Sequence, residues 1–282
     1  RNDMYDLYKA NREAMPEDLR PQIPLTRTAT KAFNIACEEM EGFEADDIIA
    51  TLAHQARDAG GRVTIVSSDK DLMQLVGDGV DMLGPMKNKR IDSDGVVEKI
   101  GVGPERVVDV QALAGDSVDN VPGAPGIGIK TAALLINEYG DLESLLDRAD
   151  EIKQPRRRQT LIEHRAQIEL SKRLVQLDCE MTLEFGLDDL EVKEPDVDVL
   201  MGFLAEMEFR TVTKRLADKL GVETPVIEAT APAAERAAPE AVPFDAEKYE
   251  CVSDEAALQI WIDRVRERGY VAVDTETTGL NE

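Results

Sequence analysis

The stretch GFEADDIIATLAHQARDAGGRVTIVSSD, Gly42–Asp69, predicts a helix followed directly by a strand. Apolar residues recur at helical spacing from Ile48 to Ala56, and the pair Gly60-Gly61 ends that pattern. Arg62–Asp69 is a short β-branched run, typical of a buried parallel strand. Helices that alternate with such strands predict an α/β domain with a parallel sheet flanked by helices.

Three carboxylates lie within four positions at the start of this stretch: Glu44, Asp46 and Asp47. One interpretation is structural, because the helix dipole stabilises each acid at a helix N-terminus by about 0.3–1 kcal/mol. Three adjacent like charges also repel one another, so the dipole explains them incompletely. A bound cation would relieve that repulsion.

Two further acid pairs extend the pattern. Asp69 and Asp71 follow the strand, at the sheet edge where open α/β proteins bind ligands, although a helix N-cap would also explain one of them. Asp116 and Asp119 lie in GDSVDN, where an Asx-turn is the alternative. Carboxylate oxygens without His or Cys suit Mg²⁺ or Mn²⁺. Two such ions about 4 Å apart clamp the attacking and leaving oxygens of a phosphodiester, so the acids suit that chemistry.

A glycine-rich turn follows the last acid pair, in VPGAPGIGIKTAALLINEYG, Val121–Gly140. A G-x-G turn at a helix N-terminus presents backbone N–H groups to a phosphate, and the alternative is a tight corner between two helices. The residues of interest are Gly123, Gly126, Gly128, Lys130 and Thr131.

Apolar periodicity elsewhere in the chain predicts helices at Thr26–Met40, between residues 151 and 220, and at Ala256–Gly269. YVAVDTETTGL, Tyr270–Leu280, predicts a strand that ends in acids. Residues 222–243 are rich in Ala, Pro and Glu and read as a linker.

The formal net charge of −24 argues against a protein that binds nucleic acid with its whole surface. Charge is uneven, however: Lys153–Arg173 has seven lysines and arginines against two glutamates, and Glu180–Glu208 has ten acids against one lysine. One basic face for a polyanion would produce this pattern, and so would solvated helix faces of varying sign. Three scattered cysteines form no disulfide framework, and no apolar run reaches membrane-spanning length, which indicates a reducing, cytosolic setting without a membrane partner.

Taken together, GFEADDIIATLA, SSDKDLMQLV and GDSVDNVPGAPGIGIKTA resemble the 5′-nuclease family of flap endonucleases and 5′→3′ exonucleases. The resemblance runs from Arg1 to about Leu220 and is strongest to the 5′→3′ exonuclease domains of bacterial polymerases of the DNA polymerase I type. Beyond the linker, VAVDTETTGL is similar to the first motif of a 3′→5′ exonuclease domain, with Asp274 and Glu276 as its metal ligands.

The resemblance implies a set of site residues. Val121–Lys130 corresponds to a helix–three-turn–helix that holds duplex DNA, with a K⁺ ion, and Arg1–Arg12 to a helical arch. Tyr8, Lys9 and Arg12 would contact or steer the scissile phosphate, although plain surface charge is the alternative for Lys9 and Arg12. The metal ligands for two Mg²⁺ ions, or Mn²⁺, would be Glu44, Asp46, Asp47, Asp69, Asp71, Asp116 and Asp119.

The resemblance also implies the architecture: a PIN-like 5′-nuclease α/β domain, its parallel sheet flanked by helices and its first strands missing, then an all-α helix–three-turn–helix domain. The expected divisions are 1–95 for the nuclease domain with part of the arch, 96–221 for the helical domain, 222–247 for the linker and 248–282 for the start of the 3′→5′ exonuclease. The chain starts at Arg1 rather than Met, so we expect a fragment, weakly active or inactive alone, of a longer active nuclease.

The implied function is metal-dependent hydrolysis of DNA at 5′ flaps, nicks, gaps and RNA–DNA primer junctions, by a monomer at the bacterial nucleoid in the cytoplasm. Two other functions stay open. One is a DNA-binding module without catalysis, held by the turn and the basic helix. The other is a stand-alone PIN-like RNase, which the linker and the DTETT run argue against.

Overall fold

The computed structural model describes residues 1–12, 14–223 and 250–274. The chain divides into two compact units, Arg1–Ile227 and Glu228–Glu282. The helices of the first unit, in chain order, are α1 (Ile23–Ala32), α2 (Ala45–Asp58), α3 (Ser93–Ile100), α4 (Val107–Ala114), α5 (Ile129–Tyr139), α6 (Leu142–Asp147), α7 (Pro155–Glu163), α8 (Arg165–Val175), α9 (Val197–Glu206) and α10 (Arg210–Leu220). Its strands are β1 (Val63–Val66), β2 (Val80–Gly84) and β3 (Lys89–Ile91).

The sheet has the order β1-β2-β3. β1 and β2 are parallel, with Val63 opposite Val80, as the sequence predicted. β3 is antiparallel to β2, so the sheet is mixed and the predicted parallel arrangement does not extend to this strand. The reason is the connection: residues 85–88 form a tight loop, whereas a parallel neighbour needs a crossover of about a dozen residues or more.

Helix α2 lies against the sheet and confirms the predicted helix-to-strand transition. Its Ala50 and Ala53 are buried in the same core as Ile65 of β1 and Met82 of β2. β1 itself is only half-buried, because Val66 is 63% exposed. The Asp69–Asp71 segment therefore leaves the sheet at an accessible edge, after the carboxyl end of β1.

Helix α4 is the buried centre of the helical part. Val107, Val110, Ala112 and Leu113 have essentially no exposed surface, and α4 contacts both α5 and α8. The polar members of α4, Asp109 and Gln111, are buried as well, so the helix is covered on nearly every side. The short α4 is thereby held rigidly by its neighbours.

The loop from α4 to α5 is closed by a close backbone approach. Gly115 and Gly123 have φ of +70° and +57°, and Asp116 and Val121 exchange backbone hydrogen bonds of 2.9 and 2.7 Å. A Cβ added to Gly123 would lie 2.7 Å from the Cα of Gly115, so neither position has room for a side chain. The Gly123 N–H also donates to the Ser171 hydroxyl of α8 at 3.0 Å.

A separate apolar cluster joins α1 to α9 and α10 through Ala32, Leu200, Phe203 and Leu204. Here the predicted helix Thr26–Met40 is too long, because α1 ends at Ala32. Asn34 adopts φ of +56°, a left-handed conformation that ends a helix, and its amide donates to the Glu194 carbonyl at 2.7 Å.

Two other predictions differ from the structure. Residues 1–12, expected as part of a helical arch, form successive turns, and Lys9 has φ of +58°, which no α-helix accommodates.

In the second unit α11 (Glu255–Arg268) confirms the predicted helix, capped by Asp254. Residues 270–274 are not a strand, and the rest of the strand predicted there lies outside the described residues.

The close approach of the two glycines predicts a position-specific cost. Gly123→Ala should lower the free energy of unfolding by the left-handed penalty of about 1–2 kcal/mol and by a further about 1–3 kcal/mol from the clash with Gly115. Gly126→Ala is the matched control, since Gly126 has φ of +78° but open space around its Cβ position. Urea unfolding of both variants gives the comparison, and equal losses would show that the contact with Gly115 does not matter.

Candidate active site

The N-terminus of α2 supplies the first group of acids. Glu44 is the N-cap residue, and Asp46 and Asp47 lie in the first turn. Asp47 is only 5% exposed and forms a two-pronged contact with the Arg1 guanidinium, at 2.5 and 2.8 Å. Arg1 also donates from Nε to the Leu174 carbonyl at 2.8 Å. Asp47 therefore connects the N-terminal segment to the end of α8.

Burial alone would raise the pKa of Asp47, but hydrogen bonds from Arg1 and from the Asp178 backbone N–H hold it below its usual value. The Asp178 N–H donates to Asp47 Oδ1 at 2.9 Å. Both carboxylate oxygens of Asp47 are thus engaged by protein donors. In this structure Asp47 positions the surrounding segments.

Glu44 and Asp119 come together across the N-terminal segment. The Tyr8 hydroxyl lies 3.4 Å from Glu44 Oε2 and 3.3 Å from Asp119 Oδ2. The Lys9 ammonium lies 2.8 Å from Glu44 and 3.7 Å from Asp119, and Arg12 forms an ion pair with Asp119. Burial, with Glu44 second, raises the pKa of Tyr8, so its hydroxyl stays a hydrogen-bond donor.

The backbone of residues 7–9 is held against Asp119 and Asn120. The Lys9 N–H donates to the Asp119 carbonyl at 2.9 Å, and the Asn120 amide donates to the Leu7 carbonyl at 2.7 Å. A non-glycine residue with positive φ is strained and persists where surrounding contacts require it. These contacts explain the left-handed Lys9 and direct its side chain to the carboxylates.

The segment after β1 places a second set of acids nearby. The Asp71 N–H donates to Asp69 Oδ1 at 3.0 Å, which turns the chain into the 3-10 helix Asp71–Leu75. Asp71 accepts from the Gln111 amide of α4 at 2.5 Å. Lys70, between the two acids, forms an ion pair with Asp116 at 2.9 Å.

The electrostatics show that acids from different segments face one another. Burial, followed by repulsion from Asp69, raises the pKa of Asp71 to about 6. Burial and then Asp69 and Glu44 also raise the pKa of Asp46. Burial would raise the pKa of Asp116 as well, but Lys70 and the Val118 backbone N–H lower it.

After the last acid pair, the glycine turn leads into α5, whose N-terminus has no side-chain cap. Gly128 is the N-cap residue of α5 and has no side chain to cap the helix, and the space around its Cβ position is empty. Gly126 and Lys130 are exposed, and Thr131 is half-buried. The first N–H groups of α5 therefore lie at the surface beside cationic Lys130, an arrangement that suits an anion.

The structure thus brings together six of the predicted acids, from three separate stretches of chain, and engages Asp47 with Arg1. It also shows partners that the sequence analysis missed: Arg1, Lys70 and Gln111. Lys70 could have been found, since it stands between two acids in SSDKD, whereas Gln111 lies in an apolar helix without any local signal. Asp274 is in the second unit, and Glu276 lies outside the described residues.

The acids fit a divalent cation in the type of donor, because they offer carboxylate oxygens and repel one another without a positive charge between them. In this structure the ammonium groups of Lys9 and Lys70 supply positive charge beside Glu44 and Asp116. Within residues 1–12, 14–223 and 250–274, no three His, Cys, Asp or Glu side chains form a group that could hold a metal ion as they stand. The assignment of these acids as metal ligands stays a prediction.

The raised pKa of Asp71 predicts a pH-dependent stability. Because the folded pKa of about 6 exceeds the ordinary value of 3.8, ionisation of Asp71 opposes folding, and stability is lost as pH rises through this interval. In buffer with EDTA, Asp71→Asn should therefore unfold at higher urea than the wild type at about pH 8 and equally below about pH 4. Asp116→Asn is the control of opposite sign: its pKa is lowered, so the variant should be the less stable one at neutral pH. A stabilisation of Asp71→Asn that does not change with pH would contradict the assignment.

Comparison with protein families finds two family models that match consecutive parts of the chain. Residues 1–101 match the 5′-3′ exonuclease N-terminal resolvase-like domain, and residues 102–198 match the 5′-3′ exonuclease C-terminal SAM fold. Both agree with an α/β part followed by a helical part.

Among curated relatives, DNA polymerase I of Rhizobium leguminosarum is 44% identical over an alignment of 336 residues, covering 100% of this chain and 33% of that protein. The 5′-3′ exonuclease of Aquifex aeolicus is 37% identical over 222 residues, covering 78% of this chain and 74% of that protein. The chain thus spans about a third of the polymerase relative.

Solved structures share the fold. The phage T5 D15 protein, co-crystallised with metal ions, matches with a TM-score of 0.56 at 22% identity, over 74% of this chain and 80% of that one. A T5 D15 flap endonuclease complex with DNA and metal ions matches with a TM-score of 0.55 at 21% identity, over 74% and 78%. Since the two family models together cover most of the chain, and the Aquifex protein is similar over most of its own length, the chain belongs to the 5′-3′ exonuclease family.

Proposed function

We propose that this chain is the metal-dependent 5′-nuclease part of a bacterial DNA polymerase I. It would hydrolyse phosphodiesters at 5′ flaps, nicks, gaps and RNA–DNA primer junctions during replication and repair. The observation that carries this proposal is the convergence of acids from the start of α2, the end of β1 and the α4–α5 loop. Family membership and the similarity to DNA polymerase I support it.

The cofactor would be two Mg²⁺ ions, with Mn²⁺ as a substitute, held by Glu44, Asp46, Asp69, Asp71, Asp116 and Asp119. Bound divalent cations supply the charge that activates a water molecule and stabilises the leaving oxygen of a phosphodiester. The carboxylates hold that charge at the edge of the sheet, and Gln111 keeps Asp71 in one orientation through its 2.5 Å hydrogen bond. Hydrolysis would leave a 5′-phosphate on the product.

Lys9, Arg12 and Tyr8 would engage the substrate phosphate. Their donors now contact Glu44 and Asp119, so an incoming phosphate competes with those carboxylates for the same cations. Divalent cations at the acids would favour the exchange, because they replace the positive charge that Lys9 provides. Arg12 is about half-exposed and can reach outward to a DNA strand.

The turn before α5 would hold the duplex beside the site. Gly126 and Gly128 would let the backbone approach a phosphate, and Lys130 and Thr131 would add donors beside the uncapped N-terminus of α5. Gly123 is buried against Gly115, so its part would be to close the turn. A K⁺ ion bound by the carbonyls of this turn would add positive charge there. Within the parent protein, Asp274 and Glu276 would serve a separate 3′→5′ exonuclease.

The partner would be DNA, bound by a monomer at the bacterial nucleoid in the cytoplasm. In the described part of the chain, none of the helices has the length and apolar character needed to cross a bilayer.

A second candidate function is a DNA-binding module without catalysis. The observation that favours it is that Asp47 is fully engaged by Arg1, while Lys9, Arg12 and Lys70 neutralise three other acids. The two functions differ in what the acids do, since only a nuclease needs them for turnover.

Substitution of the acids separates these functions. Asp46→Asn and Asp116→Asn should each lower Mg²⁺-dependent cleavage of a 5′-labelled flap DNA by at least the ~10²–10³-fold that the loss of one transition-state contact causes. Binding to the same DNA in EDTA should remain. The assay uses the full-length protein and, in parallel, this chain.

Asp94→Asn is the matched control, because Asp94 is an exposed acid in the first turn of α3 and is not among the proposed metal ligands. It should cleave like the wild type. Intact binding without Mg²⁺-dependent cleavage in the full-length protein would reject the nuclease and leave the binding module.

The proposed role of Lys9 gives a separate expectation. Lys9→Met should lower the cleavage rate at saturating DNA on the order of 10²-fold, because the ammonium would stabilise the charge that develops on the phosphate. The Kd for DNA should change far less. Lys31→Met, an exposed lysine of α1, is the control. A proportional loss of affinity and rate would assign Lys9 to binding alone.

A further inference from the structure

The outer face of α10 is a cationic surface outside the region matched by the family models, which end at residue 198. Arg210, Lys214 and Arg215, with Thr211 and Asp218, line a shallow depression of about 440 Å³. All five side chains are exposed, and Lys219 is exposed one turn further on. We call Arg210, Lys214 and Arg215 the α10 cations.

Some basic residues of the helical part are paired with acids. Arg165 pairs with Asp147 and Glu169, and Lys172 with Asp109 and Glu143, at 2.7–2.9 Å. Two of the seven cations of the stretch Lys153–Arg173 are therefore neutralised, and the other five form no ion pair with the described residues. Within the described part of the chain, none of the α10 cations lies within 4.0 Å of a carboxylate either.

The other face of α10 is already used. Val212, Leu216 and Leu220 pack against the apolar cluster of Leu200, Phe203 and Leu204. An amphipathic helix binds a bilayer with an exposed apolar face, and this one is covered, so a membrane surface is a poor fit. What α10 presents to solvent is mainly positive charge, with hydroxyl and guanidinium donors and one acid, Asp218.

We propose that the α10 cations bind the phosphate backbone of the DNA substrate, as a second contact region apart from the acids and the glycine turn. This inference rests on the proposed function. With a net charge of −24, the chain repels a polyanion except where exposed cations outnumber acids, and α10 is such a place, with four exposed cations against Asp218. Arginine donors also match phosphate geometry.

The spacing along α10 suits a DNA strand. At about 1.5 Å rise per residue, Arg210 and Lys214 are separated by about 6 Å along the helix axis, and Arg215 lies about 1.5 Å further. Phosphates of one strand advance by about 3.4 Å each along the duplex axis, so these three cations span about two of them. Contacts of this kind position DNA without selecting sequence.

The test measures DNA affinity against salt concentration in EDTA, where cleavage does not interfere. Fluorescence anisotropy gives the Kd of the chain for a 5′-flap DNA and for a plain duplex between about 50 and 200 mM salt. The variant R210Q/K214Q/R215Q changes only exposed side chains, and its circular dichroism checks the fold. The control R264Q/R266Q/R268Q removes the same charge from α11 in the second unit.

We expect the α10 variant to bind both DNAs at least tenfold more weakly at about 100 mM salt, with a log–log salt slope shallower by up to about 3. The α11 variant should keep the wild-type slope. An unchanged slope in the α10 variant, or an equal loss in both variants, overturns the inference while leaving the proposed function intact. If the wild type itself binds neither DNA, the proposed function fails together with the inference.

Discussion

Mutual repulsion among carboxylates is the constraint on which the site depends. Acids from three segments share a partly buried region, where burial and then repulsion from Asp69 raise the pKa of Asp71 to about 6. The fold tolerates them because cations from elsewhere in the chain lie between them: Arg1 at Asp47, Lys9 at Glu44, and Lys70 at Asp116. These pairs also determine where the N-terminal segment runs, since Arg1 and Lys9 connect it to α2.

The same cations carry two interpretations. Lys9 and Arg12 form ion pairs with Glu44 and Asp119, and under the proposed function the same side chains would contact the substrate phosphate. Because both roles use the same positive charge, structural and catalytic interpretations of Lys9 and Arg12 are hard to separate from sequence.

Rigid packing places the acids that the loops carry. The buried helix α4 supports the α4–α5 loop, and the contact between Gly115 and Gly123 closes that loop so that Asp116 and Asp119 face α2 and the segment after β1. Gln111, on the same helix, orients Asp71. One short helix, buried between α5 and α8, therefore aligns two of the three acid groups.

Several features could be predicted from sequence alone because their signals are local. The helix and the strand within Gly42–Asp69 follow from hydrophobic periodicity. The grouping of acids at the start of that helix is visible because they are near neighbours in the sequence. The length of α1 and the direction of β3 could not be predicted in this way. A left-handed Asn34 held by Glu194, and the pairing of a strand across a tight loop, depend on contacts that the local pattern does not encode.

The sequence by itself determined which residues carry charge and which stretches form helices and strands, since hydrophobic periodicity and like-charge crowding are properties of neighbouring residues. Only the tertiary structure decided which acids face one another and which cation neutralises each. The pairing of Arg1 with Asp47 joins residues 46 positions apart, and that of Arg12 with Asp119 joins residues 107 apart. The Arg1–Asp47 pair is strong because its burial weakens the screening of charge by water, and that burial exists only after the helices and the sheet have packed.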